Sequence, residues 1–379
     1  MLSVLALVIA GRGKDAESDS YRTKGAVMPG VIRPRDRKAP QEFFVGVDVG
    51  GTNIKTGVVT STGKVLSSVV VATEAEKGPE AGLQTIKAAI EEAVMQSPIR
   101  WQGITAIGLA VPGTIDIPNG IWMEPANMPM WRHIPIRQLM ADHFEKPTVF
   151  LNDANAAAFG EYWAGAGAGA HSLALWTMGT GIGCGLIIDG QIVEGAHSHG
   201  GECGFLYIQI ENGRHAATGM KGTLEAYVGS AGLMTRCKEA LARGDFSTVM
   251  AERLKSGEAL SPLLIAEAAE HNDPLALSLI DESARFMAFG TANLMHTIDP
   301  GVVLFGGNMT FGRNETELGR RFLSIVRDEV KRLSFPVPSA NVRIDYASLG
   351  GQAGFIGAGG WAWSTFGAEA IASVRGHAV

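Results

Sequence analysis

Apolar residues fall into two kinds of run, and the kinds alternate. Short runs dense in valine, isoleucine and phenylalanine at residues 43–49, 55–60 and 65–73 predict three strands, with Ser61-Thr62-Gly63-Lys64 as a hairpin turn between the last two. From 79 to 96 the period changes. Leu83, Ile86, Ile90 and Val94 recur at helical spacing, with Glu91 and Glu92 on the outer face. A buried strand over 104–110 ends at Pro112-Gly113, a helix follows near 135–144, and then a strand over 148–151. The order then restarts. Residues 172–178, 183–189 and 191–194 predict a second triple of strands, with Asp189-Gly190 as a turn. A largely helical region runs from 224 to about 298. It is followed by a strand over 302–305 ending at Gly306-Gly307, a helix over 315–333, a strand over 342–347 and a small-residue helix from 352 to about 363. Strands alternating with helices in this order predict an α/β protein with a mixed, mostly parallel sheet in each half. Heptads, low-complexity tracts and a helix-turn-helix signature are absent from the sequence.

The turns carry the first chemistry. Asp48-Val49-Gly50-Gly51-Thr52-Asn53 follows the first strand, and Met178-Gly179-Thr180-Gly181-Ile182-Gly183 follows the first strand of the second triple. Glycines let backbone N–H groups approach an anion closely, and threonine adds a hydroxyl donor. One such loop is weak. Two, each between strands, predict a duplicated fold that grips a phosphate chain from both sides.

Composition narrows this further. The chain has 379 residues, long enough for two domains, and 46% of them are hydrophobic, enough for sizeable cores. Its 49 glycines exceed the usual share of roughly 7% and concentrate in loops between apolar strands. A formal net charge of −6, with no basic stretch interleaved with aromatics, argues against nucleic acid as a partner. Cys184, Cys203 and Cys237 are too few and scattered for a disulfide framework, so a reducing cytoplasm is expected. Residues 2–10 are apolar but too short to span a bilayer, and they lack a preceding basic segment. Residues 11–41 are mostly polar, interrupted by Pro29, Pro34 and Pro40, so 1–41 is expected to be a poorly ordered extension and no membrane partner is expected.

Leu151-Asn152-Asp153-Ala154-Asn155 follows a short strand and opens an alanine-rich helix. An aspartate there can cap the helix by accepting backbone N–H bonds. It can equally act as a general base, accepting the proton of a substrate hydroxyl that attacks a terminal phosphoryl group, with Asn152 orienting that substrate.

These segments, together with Gly195-Ala196-His197-Ser198-His199-Gly200-Gly201-Glu202-Cys203-Gly204, resemble the ROK family of sugar kinases and repressors, and within it the bacterial glucokinases. The resemblance runs from about residue 43 to the C-terminus. It implies a two-domain actin-like (hexokinase-type) ATPase fold with an interdomain cleft. The implied small domain is 42–150, completed by the C-terminal helix 352–379, and the implied large domain is 151–351. Asp48 would organise Mg²⁺ through bound waters. Gly50, Gly51 and Thr52 would meet the phosphates of ATP, with Gly179, Thr180, Gly181 and Gly183 opposite them. Gly306 and Gly307 would border the adenosine. The sugar would fall to Gly113, Asn127, Asn152, Asp153, Glu202 and Glu225, with Pro125-Ala126-Asn127 and Trp131 in a sugar-contacting loop. Asp153 would be the catalytic base. Carboxylates and amides suit this task because each offers two polar atoms at the spacing of adjacent hydroxyls.

One departure stands out. The family usually carries a histidine three residues after the Glu of Gly-Glu-x-Gly, and a Cys-x-Cys-Gly-x-x-Gly-Cys-x-Glu segment, which together hold zinc. Here the histidine position is Phe205, and the cysteine positions are Ala216, Thr218 and Thr223, while Gly219, Gly222 and Glu225 remain. Phenylalanine and alanine cannot ligate a metal, so no structural zinc is expected, and packing by Phe205 and Tyr207 is expected to hold the loop. The expected activity is ATP- and Mg²⁺-dependent phosphorylation of a hexose at its 6-hydroxyl, glucose first. Fructose, mannose, N-acetylmannosamine and allose are alternatives, as is polyphosphate as donor. The other classes are a sugar-responsive repressor and a non-catalytic sugar binder. A homodimer through the apolar helix 275–295 is weighed against an ordinary core helix.

Overall fold

The computed structural model describes residues 41–125, 128, 130–244 and 246–368. Asn127, residues 1–40 of the expected extension and residues 369–379 of the expected terminal helix lie outside the described residues.

The chain opens with β1 (Phe43–Val49), β2 (Asn53–Thr60), β3 (Val65–Ala72), α1 (Pro79–Met95), β4 (Ile104–Val111), β5 (Thr114–Asp116), β6 (Ile121–Glu124), α2 (Ile136–Phe144), β7 (Thr148–Asn152) and α3 (Asp153–Ala164). It continues through β8 (Ser172–Met178), β9 (Ile182–Ile188) and β10 (Gln191–Ile192) to α4 (Leu224–Val228), α5 (Ser230–Arg243), α6 (Met250–Lys255), α7 (Pro262–Glu270) and α8 (Pro274–Ile298). It closes with β11 (Val302–Gly307), α9 (Glu317–Leu333), α10 (Pro336–Asn341), β12 (Arg343–Tyr346) and α11 (Ala353–Phe366).

The first sheet has the order β3-β2-β1-β4-β7, and the second has β10-β9-β8-β11-β12. In each, the first three strands are antiparallel and the last two join the central strand in parallel. The same topology is thus built twice, as the restart in the apolar pattern predicts. Each sheet also has its own core. Val47, Ile54, Ile90 and Leu109 belong to the first, and Trp176, Met287, Phe305 and Phe322 to the second.

Between the sheets, α3 packs on β8 and β9, α11 packs on β1 and β4, and the two helices cross. Glycine makes that crossing possible. A Cβ on Gly357 would lie 1.7 Å from the Ala156 carbonyl oxygen, and one on Gly108 would lie 1.9 Å from that of Ala358. Glu161 on α3 is fully buried and tied down. Its carboxylate accepts from Ala166 N at 2.8 Å, Leu349 N at 2.7 Å and Ser348 Oγ at 3.1 Å. It thereby joins α3 to the segment leading into α11, and its charge is matched by donors as burial demands.

Several expectations change. The hairpin β5–β6 and the helix α10 were not foreseen, being too short for periodicity to register. β10 is shorter than 191–194, because Glu194 leaves the ladder and its carbonyl accepts from Gly200 N at 2.7 Å. Trp131 is fully buried, 5.0 Å from Trp122 ring to ring, and its Nε1 donates to Ala75 O at 3.2 Å, so it braces the first core instead of facing a sugar. The apolar residues of α8, among them Leu279, Met287 and Met295, belong to the second core, so the core-helix reading describes that face and the dimer reading finds no support in it.

Candidate active site

Parallel pairing brings the two key carboxylates to one edge. β1, β4 and β7 run side by side in the same direction, with Asp48 beside Ala110 and Val111 beside Asn152. Asp48 therefore leaves the end of β1 two strands from the point where β7 passes into α3, roughly 10 Å across the sheet. Both acids reach a cavity of about 210 Å³. Asp48, Lys55 and Asp153 line one wall, and Thr177, Gly306 and Gly307 from the second sheet line the other.

Burial dominates the electrostatics here. Desolvation pushes the Asp48 carboxyl up to about 6, against a lowering pull from Lys55. Asp153 is pushed up to about 7, first by burial and then by the charge of Asp48, although the Ala154 N–H lowers it. Two buried acids, of which Asp48 raises Asp153, thus share the cavity with the cations Lys55 and Arg313.

The residue at the helix N-cap is Asn152, with Asp153 at the first helical position. Asn152 Oδ1 accepts from Ala154 N at 2.8 Å and Asn155 N at 3.2 Å. Asp153 Oδ1 also accepts from Ala154 N at 2.8 Å, so the two side chains share that N–H, and the amide oxygen of Asn152 is committed to the backbone.

The first glycine loop turns tightly, with Gly50 N donating to Asn53 O at 2.9 Å. Thr73, which the sequence did not single out, clamps it from behind: its Oγ1 donates to Gly50 O at 2.6 Å and its N–H to Thr52 O at 2.9 Å. Gly51 and Thr52 remain exposed. In the second loop Gly179 N donates to Gly181 O at 3.0 Å, and Thr180 is exposed. Gly183 abuts α3, where a Cβ would lie 3.2 Å from that of Ala154, so this loop sits against the start of the helix that carries Asp153. Gly307, at φ 90°, presses on the Met178 backbone, where a Cβ would lie 2.3 Å from the carbonyl oxygen. Neither glycine loop, Gly50–Thr52 or Gly179–Gly183, lines the cavity itself; Gly306 and Gly307 do.

The residues expected to hold the sugar divide. Glu202 lies close enough to raise the pKa of Asp153, and its own carboxyl is raised by desolvation and by Glu225 but lowered by His199. Glu225 Oε2 accepts from Ile182 N at 3.0 Å, so this acid buttresses the second glycine loop. Gly113 turns the chain from β4 into β5 at φ 82°, with Pro125 Cα 2.6 Å from where its Cβ would stand. Cys184 and Cys203 are not scattered: both are buried, unbridged and within hydrogen-bonding contact.

The segment that holds zinc elsewhere is closed by backbone bonds. Ile208 N and Gln209 N donate to Gly222 O at 2.9 and 3.1 Å, and Gly222 N donates to Arg214 O at 2.8 Å. Among the described residues no three His, Cys, Asp or Glu side chains are grouped to hold a metal. Tyr207 is 64% exposed, so it is no wedge; Leu206 and Ile208 pack against the core in that role.

The model of the ROK family matches residues 44–364, and the chain belongs to that family. A glucokinase of Halalkalibacterium halodurans is 30% identical over 319 residues, covering 84% of this chain and 94% of that protein. A ROK family glucokinase from Streptomyces griseus, solved in complex with glucose and AMPPNP, is 31% identical with a TM-score of 0.69, covering 84% of this chain and 99% of that one. A xylose repressor of Caldicellulosiruptor bescii is 28% identical, covering 83% of this chain and 76% of the repressor. The fold is the two-domain, hexokinase-type actin-like ATPase fold. No helix among the described residues is long and apolar enough to cross a membrane.

Proposed function

We propose that this protein is an ATP- and Mg²⁺-dependent hexose kinase that phosphorylates glucose at the 6-hydroxyl, in the cytoplasm. The observation that carries the reading is Asp153, buried at the cleft with a raised pKa and facing the glycine-lined wall of the second sheet. In this reading the lobes 42–150, with the helix from 352 onward, and 151–351 close on the sugar and exclude water. Asp153 accepts the hydroxyl proton as that oxygen attacks the γ-phosphorus. The N–H groups of Gly50–Thr52 and Gly179–Gly183 hold the phosphates, Glu202 receives sugar hydroxyls, and Glu225 keeps the second loop in shape.

The acids also fit Mg²⁺. They offer oxygen ligands only, and so few that phosphate and water would complete the shell. Bound through water at Asp48, the ion would supply positive charge against the β- and γ-phosphates.

A base must be unprotonated to act, so kcat/KM should fall as pH drops, with a midpoint near the Asp153 value of about 7. Raising Mg²⁺ should move that midpoint lower, because the ion favours the charged carboxylate. A midpoint near 4 at low Mg²⁺ would show that another group limits the rate. For the substrate, ADP release is measured over a panel of hexoses. Glucose should give the highest kcat/KM; fructose, mannose, N-acetylmannosamine or allose in first place would reassign the sugar.

A further inference from the structure

Two cations line the cleft. Lys55 on β2 stands directly across from Asp48 on β1, so both side chains leave the sheet on one face. Its Nζ lies 3.3 Å from the point where Gly351 would carry a Cβ. Arg313 approaches the neighbouring residue, with Nη2 and Nη1 3.4 and 3.9 Å from the equivalent point on Gly350. The Gly350-Gly351 turn, which leads into α11, is thus flanked by two positive groups, and all four residues line the cavity. Among the described residues neither side chain donates a hydrogen bond or makes an ion pair at contact distance, and Lys55 acts on Asp48 only through its charge.

Arg313 is held in place against its own backbone preference. Phe311, Gly312 and Arg313 have φ of 53°, 79° and 55°, three consecutive left-handed residues of which only glycine enters that region readily. Surrounding bonds enforce it. Thr316 Oγ1 donates to Phe311 O at 2.5 Å, Arg313 N donates to Thr310 O at 2.9 Å, and Arg320 Nη1 donates to Asn314 O at 2.8 Å. The nearby acid Asp345 is engaged by Asn314 at 3.2 Å and Arg327 at 3.9 Å, which leaves the Arg313 guanidinium to the cleft. Backbone strain maintained in this way accumulates where the position of a side chain serves function.

The geometry points to Arg313, with Lys55 across the Gly350-Gly351 turn, as a two-cation clamp on the phosphate chain of the donor nucleotide. The guanidinium would meet phosphate oxygens as a fork of N–H donors, and the ammonium would act as a point charge. The turn carries no side chain, so the chain can pass close to backbone N–H groups. This assignment rests on the kinase reading above, but not on its glycine loops, which contain neither residue.

Arg313→Gly separates binding from structure, because glycine suits a φ of 55°. The variant should melt at or above the wild-type temperature. Its KM for ATP should rise about 10- to 100-fold, the loss of a charged hydrogen-bond pair, while the KM for sugar changes less than about twofold. The inhibition constant of ADP should rise by a similar factor while that of adenosine stays unchanged. Lys55→Met should weaken ADP in the same sense, and it serves as the second variant should Arg313→Gly melt early. ATP and ADP constants within twofold of wild type, in variants that melt normally, would overturn the clamp. A parallel loss of adenosine affinity would overturn the phosphate assignment. Should the wild-type protein phosphorylate no sugar, the kinase reading fails instead, and calorimetric titration of ADP into wild type and variant still decides the clamp.

Discussion

Asp153→Asn is expected to lower kcat by roughly 10²–10⁴-fold, the usual contribution of a positioned base, while ATP still binds. The amide keeps the shape of the carboxylate but cannot accept the proton. The same change should stabilise the fold, and the sign follows from proton linkage. The Asp153 carboxyl is pushed up to about 7 in the folded protein against 3.8 for a free aspartate side chain, so between these values the folded state binds more protons than the unfolded one. Stability therefore falls as pH rises from about 4 through 7, and asparagine escapes that loss. At pH 8 the variant should melt higher than wild type by at least about 1 °C, the shift that accompanies one kcal/mol in a chain of 379 residues, and the gap should shrink towards pH 4. Differential scanning calorimetry at the two pH values measures it. A variant that turns over normally removes Asp153 from the mechanism. One that is inactive but less stable at pH 8 shows that the carboxylate serves the fold.

The second large effect concerns the helix crossing. In Gly357→Val a Cβ would arrive 1.7 Å from the Ala156 carbonyl oxygen, with the Gly160 amide nitrogen 2.7 Å away. Both are backbone atoms of α3, so no side-chain rotation can make room. α11 must lift from α3, and with it from β1 and β4, on which it also packs. The expected cost is roughly 3 kcal/mol or more, at the upper end of what overpacking does to a tight core. The same movement displaces Asp153 from Asp48, so activity should fall together with stability. Urea unfolding followed by tryptophan fluorescence checks the first part. An unchanged midpoint would mean that the two helices do not touch as described.

What the sequence made legible was whatever repeats locally. The two strand triples were readable because each sets apolar runs against glycine turns, and most of their boundaries fall within two residues of the strands observed, as with 55–60 against Asn53–Thr60. Asp48, Asp153, Gly306 and Gly307 share one cavity because parallel strands end at one edge, a consequence of topology that alternating strands and helices already imply. What stayed hidden depends on residues distant in the chain. Nothing around Thr73 announces that it holds the first glycine loop 23 positions earlier. Glu225 stands in the pattern of a sugar-binding acid, yet one of its oxygens is bonded to Ile182, 43 positions away. Glu161 looks like an exposed helix acid and is fully buried among backbone donors near residue 349. The duty of Asn152 was local and still missed, because the Asn-Asp pair offers two caps and only backbone geometry chooses between them. Tyr207 was assigned a packing role on residue type alone, and its ring faces solvent.

The most direct measurement of the central claim follows phosphorus itself. ³¹P NMR of the protein with glucose, ATP and Mg²⁺ should show the γ-phosphate signal replaced by a sugar phosphomonoester, in equal amount to the ADP formed, and Asp153→Asn should show neither change on the same timescale. ADP accumulating with inorganic phosphate in place of the ester, or the ester forming at the same rate in the variant, would contradict it.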